Sequence, residues 1–208
     1  MILPPDFPVD ILDDSKKLSA TAREKARLVI YSQALALGIG WASAAEIDAI
    51  NIHKASLLAM KRAFGEMIGG AKIRNADFCD CRAIVDGLFV PDIPVPCEPL
   101  VKADTLVPAV MAASIIAKTA RDRLMEYYGL FYPEYGYERH KGYPTKAHRE
   151  AILRWGPSPI QRLSFSPHLF ENHGGHGGIH GGHGGISTTN HHEQKRKTSH
   201  RGTGAQGE

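Results

Sequence analysis

The sequence has 208 residues, of which 43% are hydrophobic and 23% are charged, and this is enough apolar material for one ordinary domain core. No run of about 18 consecutive apolar residues occurs, and the N-terminus lacks the basic region and cleavage site of a signal peptide, so we exclude membrane-spanning and secreted proteins. The 3 cysteines, an odd number, favour the cytoplasm over a disulfide framework. A formal net charge of +3 is too small to indicate a nucleic-acid partner by itself.

The composition changes sharply near Ser166. From His168 onward the chain holds eight of the 11 histidines and 11 of the 21 glycines, with Phe170 as the one aromatic residue. A segment of this composition buries too little apolar surface to fold. We therefore predict one domain over residues 1–166 and a disordered His/Gly-rich tail over residues 167–208.

The first predicted element is a helix for which Ser19 is one of two candidate caps. Its apolar residues recur at helical spacing, and Gly38 is expected to end it. A short strand is predicted next, at Ile39–Ala42. Ser43 and Glu46 then form the capping-box pattern that begins a second helix.

Strands and helices alternate through the rest of the domain. Arg82–Val85 and Pro99–Val101 are short, apolar and bounded by polar or turn residues, which predicts buried strands. The longest helix is predicted from Leu106 to Tyr128, and the last one from Lys146 to Arg154. One face of the longest helix carries small residues: Ala109, Ala112, Ala113 and Ala117. The alternation indicates an α/β domain with parallel strands.

Two carboxylates each follow a predicted strand. Asp86 comes directly after the first strand, and Asp104 lies just beyond the second. The ends of strands in open α/β sheets are where ligand sites collect. A purely local alternative stays open, in which Asp86 forms a turn with Gly87 and Asp104 caps the following helix. Together the two carboxylates also suit a divalent cation such as Mg²⁺ or Mn²⁺.

Basic residues cluster at two places in the chain. Lys16 and Lys17 follow Ser15 just before a helix, and Lys141 lies beside Tyr143 in a loop with further cationic residues. Lysines, a helix N-terminus and an aromatic ring are the groups that bind phosphates and stack on a sugar or base. The alternative is a solvated surface on which Tyr143 only anchors its loop.

Cysteine and histidine patterns indicate little chemistry in the folded part. Cys79, Cys81 and Cys97 lack the paired spacing of a structural zinc site. The tail histidines suit flexible chelation of Ni²⁺ or Zn²⁺ rather than an enzyme site.

Several of these segments together resemble the bacterial ribonuclease HII family, in order and at about the family's spacing. The matching segments are Asp14–Ser19, Glu46–Asn51, Val85–Gly87, Lys102–Asp104, Ala112–Lys118 with Arg121 and Asp122, His140–Thr145, and Ser164–Phe165. The resemblance implies a ribonuclease H-like fold with a mixed central sheet flanked by helices. It also implies a cytoplasmic, monomeric hydrolase of DNA repair that depends on Mn²⁺ or Mg²⁺. Its substrates would be RNA–DNA hybrids and duplex DNA with embedded ribonucleotides.

The resemblance also implies roles for individual residues. Asp86 and Asp104 resemble two of the family's four metal carboxylates. Tyr143 resembles the tyrosine that packs against the sugar at the RNA–DNA junction, and Lys141, Ser15 and Lys16 lie in segments that resemble substrate-contacting ones. Two metal ions would activate water and stabilise the leaving 3′ oxygen, giving a 5′ phosphate and a 3′ hydroxyl.

One part of the family pattern has no counterpart in this sequence. The family begins with a strand that carries an Asp-Glu pair and a Gly-Arg-Gly turn, and nothing from Met1 to Leu12 resembles it. We therefore expect a truncated domain in which two of four carboxylates are absent and cleavage is impaired. Two other interpretations stay open: a non-catalytic domain that binds nucleic acid through its lysines, and a metal-binding protein that acts through its tail.

Overall fold

The computed structural model describes residues 1–69 and 81–165, which all belong to one compact unit. Two short strands lie among helices, so an α/β arrangement is confirmed at this level. The helices are α1 (Ala20–Gln33), α2 (Ala44–Gly69), α3 (Ala103–Leu106), α4 (Pro108–Phe131), α5 (Tyr137–His140) and α6 (Lys146–Trp155). The strands are β1 (Ala83–Asp86) and β2 (Cys97–Leu100). The predicted tail and Cys79 lie outside the described residues.

The two strands are parallel, with Ala83 opposite Cys97 and Asp86 opposite Leu100. Both strands and their parallel pairing were predicted, within two residues of their observed positions. The expectation that they are buried is wrong for both strands, whose residues are partly buried or exposed. The predicted mixed sheet, with both parallel and antiparallel strands, is not seen in the described ranges. Antiparallel pairing occurs there as an isolated bridge between Ile2 and Ala36.

The predicted strand at Ile39–Ala42 is wrong. Helix α1 begins after Ser19, whose hydroxyl accepts a hydrogen bond from the Ala22 amide, and ends at Gln33. Residues 39–42 pair with no strand in the part of the chain described. This segment lies directly against the backbone of α2, where Gly38 and Gly40 leave no room for a side chain. This packing takes the place of a strand partner.

Helix α2 begins with the predicted capping box. The Glu46 carboxylate accepts a hydrogen bond from the Ser43 amide, and the Ser43 hydroxyl accepts one from the Glu46 amide. Hydrogen bonds from Arg62 and from Ser43 lower the pKa of Glu46 to about 2. Asn51 kinks the helix with a φ of 67°, and its side chain caps the continuing helix by accepting from the Lys54 amide.

Helix α4 joins the two hydrophobic cores of the domain. The predicted longest helix is observed as α4, which begins at Pro108, a residue that suits the first helical position because it cannot donate a backbone hydrogen bond. Leu106, its predicted first residue, instead ends the short helix α3. One core packs α1 against α4 and contains Phe7, Ala26, Ile30, Ala112, Ile115 and Ile116. The other surrounds the end of α4 and contains Met125, Tyr135, Tyr137 and Ile152. The predicted small-residue face is only partly buried, since Ala117 is exposed.

Candidate active site

Asp86 lies at the end of β1 and reaches across to the start of α3. Its Oδ1 atom accepts a hydrogen bond of 3.0 Å from the Ala103 amide. Lys102, the residue that precedes α3, provides no cap of its own and has a φ of 62°. Asp86 therefore caps α3, rather than only turning the chain with Gly87. The same contact brings its carboxylate beside the residue that precedes Asp104.

Asp104 is the second residue of α3, and its side chain is only 17% exposed. The Lys16 ammonium lies 3.9 Å from its Oδ2 atom, and the Lys16 side chain is itself 79% exposed. A pair this long and this solvated contributes little to stability. Its significance is positional, because it places a predicted substrate-binding lysine beside a predicted metal ligand.

The two aspartates are suitable ligands for a divalent cation. Carboxylate oxygens are the donors that Mg²⁺ and Mn²⁺ prefer, and Asp86 is exposed while Asp104 is partly exposed. Within residues 1–69 and 81–165, no group of three or more His, Cys, Asp or Glu residues is arranged to hold a metal ion. Asp86 and Asp104 are therefore the two candidate ligands, and the described ranges add no larger cluster to them.

Ser15 ties the lysine-containing segment to α4. It is buried, and its hydroxyl oxygen lies 2.8 Å from the hydroxyl oxygen of Ser114. The Arg23 guanidinium donates to the backbone carbonyls of Ser15 and Leu18, at 2.9 and 2.6 Å. These bonds fix the backbone next to Lys16, while the Ser15 side chain faces the protein rather than solvent.

Tyr143 is 56% exposed, and two cations lie near its ring. The Lys118 ammonium is 5.5 Å from the ring centroid, and the Arg121 guanidinium carbon is 5.6 Å from it. These distances are typical of cation–π contacts, which hold a ring in place while leaving part of it open to a ligand. Arg121 also donates to the Lys141 carbonyl at 2.8 Å, so it fixes both ring and backbone.

Lys141 has its ammonium turned toward the protein. It donates to Glu126 at 2.7 Å and to the Glu138 carbonyl at 2.6 Å, and little of the side chain is exposed. The backbone φ of Lys141 is 50°, which lies in the left-handed region. These contacts make Lys141 an anchor of the Tyr143 loop in this structure.

One face of α4 connects these groups. Ser114, Lys118 and Arg121 are spaced by four and three residues, which places them on one side of the helix. Ser114 contacts the Ser15 segment, and the two cations contact Tyr143. Sequence reasoning noted this segment as a motif but gave these residues no role. Their helical spacing was the signal that could have found them.

Comparisons with known proteins identify the family of the chain. A family model described as ribonuclease HII matches residues 10–168. The chain belongs to the ribonuclease HII family. Proteins named ribonuclease HII match it at 52% identity in Treponema denticola, over 79% of this chain and 87% of that protein, and at 48% in Desulforamulus reducens, over 80% and 79%. A third, from Dichelobacter nodosus, is 41% identical over 80% of this chain and 84% of its own length.

Membership of the ribonuclease HII family confirms the resemblance found in the sequence motifs, and with it the assignment of the chain to an enzyme family. The matched range contains all six predicted site residues: Ser15, Lys16, Asp86, Asp104, Lys141 and Tyr143. Within the described ranges, none of the helices has the length and apolar character needed to cross a bilayer.

Proposed function

We propose that this protein is an endonuclease that hydrolyses the RNA strand of RNA–DNA hybrids and cuts at single ribonucleotides embedded in duplex DNA. The observation that carries the proposal is a series of contacts: Asp86 bonds the amide next to Asp104, Lys16 lies 3.9 Å from Asp104, and the segment of Lys16 is bonded to the face of α4 that contacts Tyr143. It combines carboxylates for a cation, a lysine for phosphate and an aromatic ring for a sugar. The domain is a monomer with ribonuclease H-like architecture that acts in the cytoplasm.

Asp86 and Asp104 hold the divalent cation, Mn²⁺ or Mg²⁺. When bound, such ions provide Lewis-acid activation of water and stabilise the negative charge on the leaving 3′ oxygen, in a pattern that uses two ions. Asp86 is well placed for this role because one carboxylate oxygen is engaged by the Ala103 amide, which fixes the orientation of the group. The products carry a 5′ phosphate and a 3′ hydroxyl.

Lys16 and Tyr143 bind the nucleic acid at different points. The exposed Lys16 ammonium neutralises phosphate charge without regard to sequence. The exposed part of the Tyr143 ring packs against the deoxyribose next to the ribonucleotide. Lys118 and Arg121 keep that ring in position and add positive charge beside the phosphate backbone.

A test of the carboxylate role is Asp86→Asn. The amide oxygen of Asn can still accept the Ala103 hydrogen bond, so the fold is retained while the anionic ligand is lost. In a chain extended with the family's Asp-Glu and Gly-Arg-Gly strand, we expect cleavage of a duplex with one ribonucleotide to fall at least 100-fold, because loss of a residue that only supports a metal ligand already costs about 10–100-fold. The control is Asp92→Asn, because that carboxylate is exposed and pairs only with Lys61. Near-normal cleavage by Asp86→Asn in Mg²⁺ would overturn the assignment.

A second candidate function is binding of hybrid or duplex without cleavage. The observation that favours it is that no group of three or more His, Cys, Asp or Glu residues within residues 1–69 and 81–165 is arranged to hold a metal ion. Two carboxylates cannot balance the charge of two divalent cations as four can. Tight, salt-sensitive binding of an RNA–DNA hybrid with no product in Mn²⁺ would favour this function over the first.

Metal binding through the tail is a separate hypothesis. The tail contains eight of the 11 histidines of the sequence. Removing residues 168–208 distinguishes the two sites, because we expect binding of hybrid to survive and binding of Ni²⁺ to be lost. Loss of hybrid binding in the shortened chain would give the tail a part in the nucleic-acid site.

A further inference from the structure

Two histidines stack on each other beside the loop that carries Tyr143. The ring centroids of His140 and His148 are 4.3 Å apart, and the rings are inclined by 17°. The Tyr137 ring packs edge-on against both of them, at 5.7 and 5.4 Å. His148 is only 4% exposed. A buried imidazole such as that of His148 is costly to charge, whereas His140 beside it is only half-buried.

The hydrogen bonds of His140 determine its tautomer. The Gly142 amide donates to Nδ1 at 3.1 Å, so Nδ1 carries a lone pair and no proton. The proton is then on Nε2, which donates to the Tyr135 carbonyl at 2.7 Å. His140 is therefore neutral in this arrangement, and it links the backbone before α5 to the backbone after it.

His148 has the opposite tautomer. Its Nδ1 lies 3.0 Å from the Tyr143 carbonyl, and because a carbonyl only accepts, Nδ1 carries the proton and donates. Its Nε2 is buried and has no hydrogen-bond partner in the described parts of the chain. An unprotonated nitrogen tolerates this better than an N–H group would, since a buried donor without an acceptor is costly.

The electrostatic surroundings of His148 also favour the neutral ring. Burial lowers the pKa of His148 below its ordinary value, and the positive charge of Arg162 lowers it further, as protonation of His140 would. The Tyr143 carbonyl and the Gln161 side chain favour the charged form of His148, but they do not reverse the lowering of its pKa. The Gln161 side chain is not a hydrogen-bond partner of His148 Nε2. The hydrogen bonds and the electrostatic surroundings of His148 thus both favour the neutral ring with its proton on Nδ1.

The loop itself needs such support. Lys141 and Gly142 both have left-handed backbone angles, with φ values of 50° and 77°, and only one of the two residues is a glycine. Arg121 holds the Lys141 carbonyl from one side, and His148 holds the Tyr143 carbonyl from another. The Tyr143 ring is thereby fixed through its own backbone as well as through its cation contacts.

We infer that His140 and His148 are positioning residues for Tyr143, acting as a pair of neutral imidazoles in opposite tautomers that fix the loop from residue 140 to 143. The inference rests on the proposed contact between Tyr143 and a sugar of the substrate. It adds two residues that act through the backbone of the loop and determine where the recognising ring lies.

The direct test uses nitrogen NMR of the imidazole rings in the full chain at pH 7.5. We expect the proton on Nδ1 in His148 and on Nε2 in His140. A charged ring, or the same tautomer in both residues, would overturn the inference. This readout needs no substrate, so it stands even if Tyr143 has no part in recognition.

Variants of His148 separate positioning from packing. The amide of Asn reproduces the Nδ1–H donor, so His148→Asn should keep the Tyr143 carbonyl bonded, whereas His148→Leu loses the bond. We expect the backbone amides of Gly142 and Tyr143 to exchange about tenfold faster in His148→Leu and at the parent rate in His148→Asn. Ile152→Val loosens the same core without touching the loop, and it should leave these amides unchanged. Equal acceleration in all three variants would overturn the positioning role.

A thermodynamic cycle with Tyr143→Ala connects the pair to recognition. The quantity is the ratio of affinities for duplex DNA with and without one embedded ribonucleotide, measured without added metal. If His148 acts through Tyr143, His148→Leu lowers the ratio in the parent and has no further effect in Tyr143→Ala. Additive effects would overturn the inference. A ratio unmoved by Tyr143→Ala alone would instead refute the proposed role of Tyr143, and the NMR result would still decide the positioning.

Discussion

The hydroxyl oxygens of Ser15 and Ser114 lie 2.8 Å apart although 99 residues separate them in sequence. Ser15 is buried, so the bond holds the lysine-containing segment against the face of α4 that also carries Lys118 and Arg121. The two predicted ends of the nucleic-acid surface, Lys16 and Tyr143, are therefore positioned by one helix. A rigid connection of this kind allows phosphate and sugar contacts to be made together.

Loss of both hydroxyls should destabilise the domain by less than the sum of the two single losses. Ser15→Ala leaves the Ser114 hydroxyl with an unpaired polar atom, and we expect about 1–2 kcal/mol lower free energy of unfolding. The double variant Ser15→Ala with Ser114→Ala removes both polar atoms and should cost less than the sum of the single variants. Urea denaturation of the four proteins measures this. Strict additivity would mean that the two hydroxyls do not interact in solution.

Stability should fall in mildly acidic solution because of His148. Its folded-state pKa is lowered, mainly by burial, from an ordinary value of 6.5. The unfolded chain then binds a proton at a higher pH than the folded chain. The contribution of His148 is complete above about pH 6.5 and is lost as the pH falls through the lowered pKa.

The measurement is thermal unfolding of the parent and of His148→Asn between pH 8 and pH 5. The charged and titratable groups that face His148 are His140, Arg162 and Tyr137, and all three remain in the variant. We expect the stability difference between the two proteins to shrink as the pH falls below about 6.5. A difference that stays constant over this range would contradict the lowered pKa.

Tyr143→Ala should reduce selectivity more than general affinity. In the described parts of the chain, Tyr143 makes hydrogen bonds to the protein through its backbone and not through its side chain. Removal of the ring therefore changes the exposed surface and leaves the backbone hydrogen bonds of the loop in place. We expect cutting at a single ribonucleotide to fall more than cutting of a long hybrid, while Tyr143→Phe keeps the ring and the parent ratio. Equal losses on both substrates would make Tyr143 a structural anchor only.

Elements whose signals are local could be predicted from the sequence. The capping box at Ser43, the strand that ends at Asp86 and the helix from Lys146 each depend on neighbouring residues, and all three were found near their observed positions. The strand predicted at Ile39–Ala42 does not form, because this segment packs against residues of α2 that are distant in the sequence. Local alternation alone could not distinguish a paired strand from an extended segment on a helix.

Contacts in the candidate site divide in the same way. The placement of Asp86 and Asp104 after strands could be predicted, but the bond from Asp86 to the Ala103 amide spans 17 residues and has no sequence signature. The stacking of His140 on His148 likewise has no sequence signature, because the two residues are eight positions apart across a loop and are not related by helical spacing. The sequence indicated which groups matter, and tertiary packing determines how they are held.

The central claim is that Asp86 and Asp104 form the metal-binding part of a ribonuclease site. The most direct measurement is incision, in Mn²⁺, of a duplex with one ribonucleotide by the 208-residue protein and by a version extended with the family's Asp-Glu and Gly-Arg-Gly strand. We predict efficient incision by the extended protein, abolished by Asp86→Asn, and much slower incision by the 208-residue chain, whose described residues contain no group of three or more His, Cys, Asp or Glu residues arranged to hold a metal ion. Undiminished incision by the extended Asp86→Asn protein would contradict the claim.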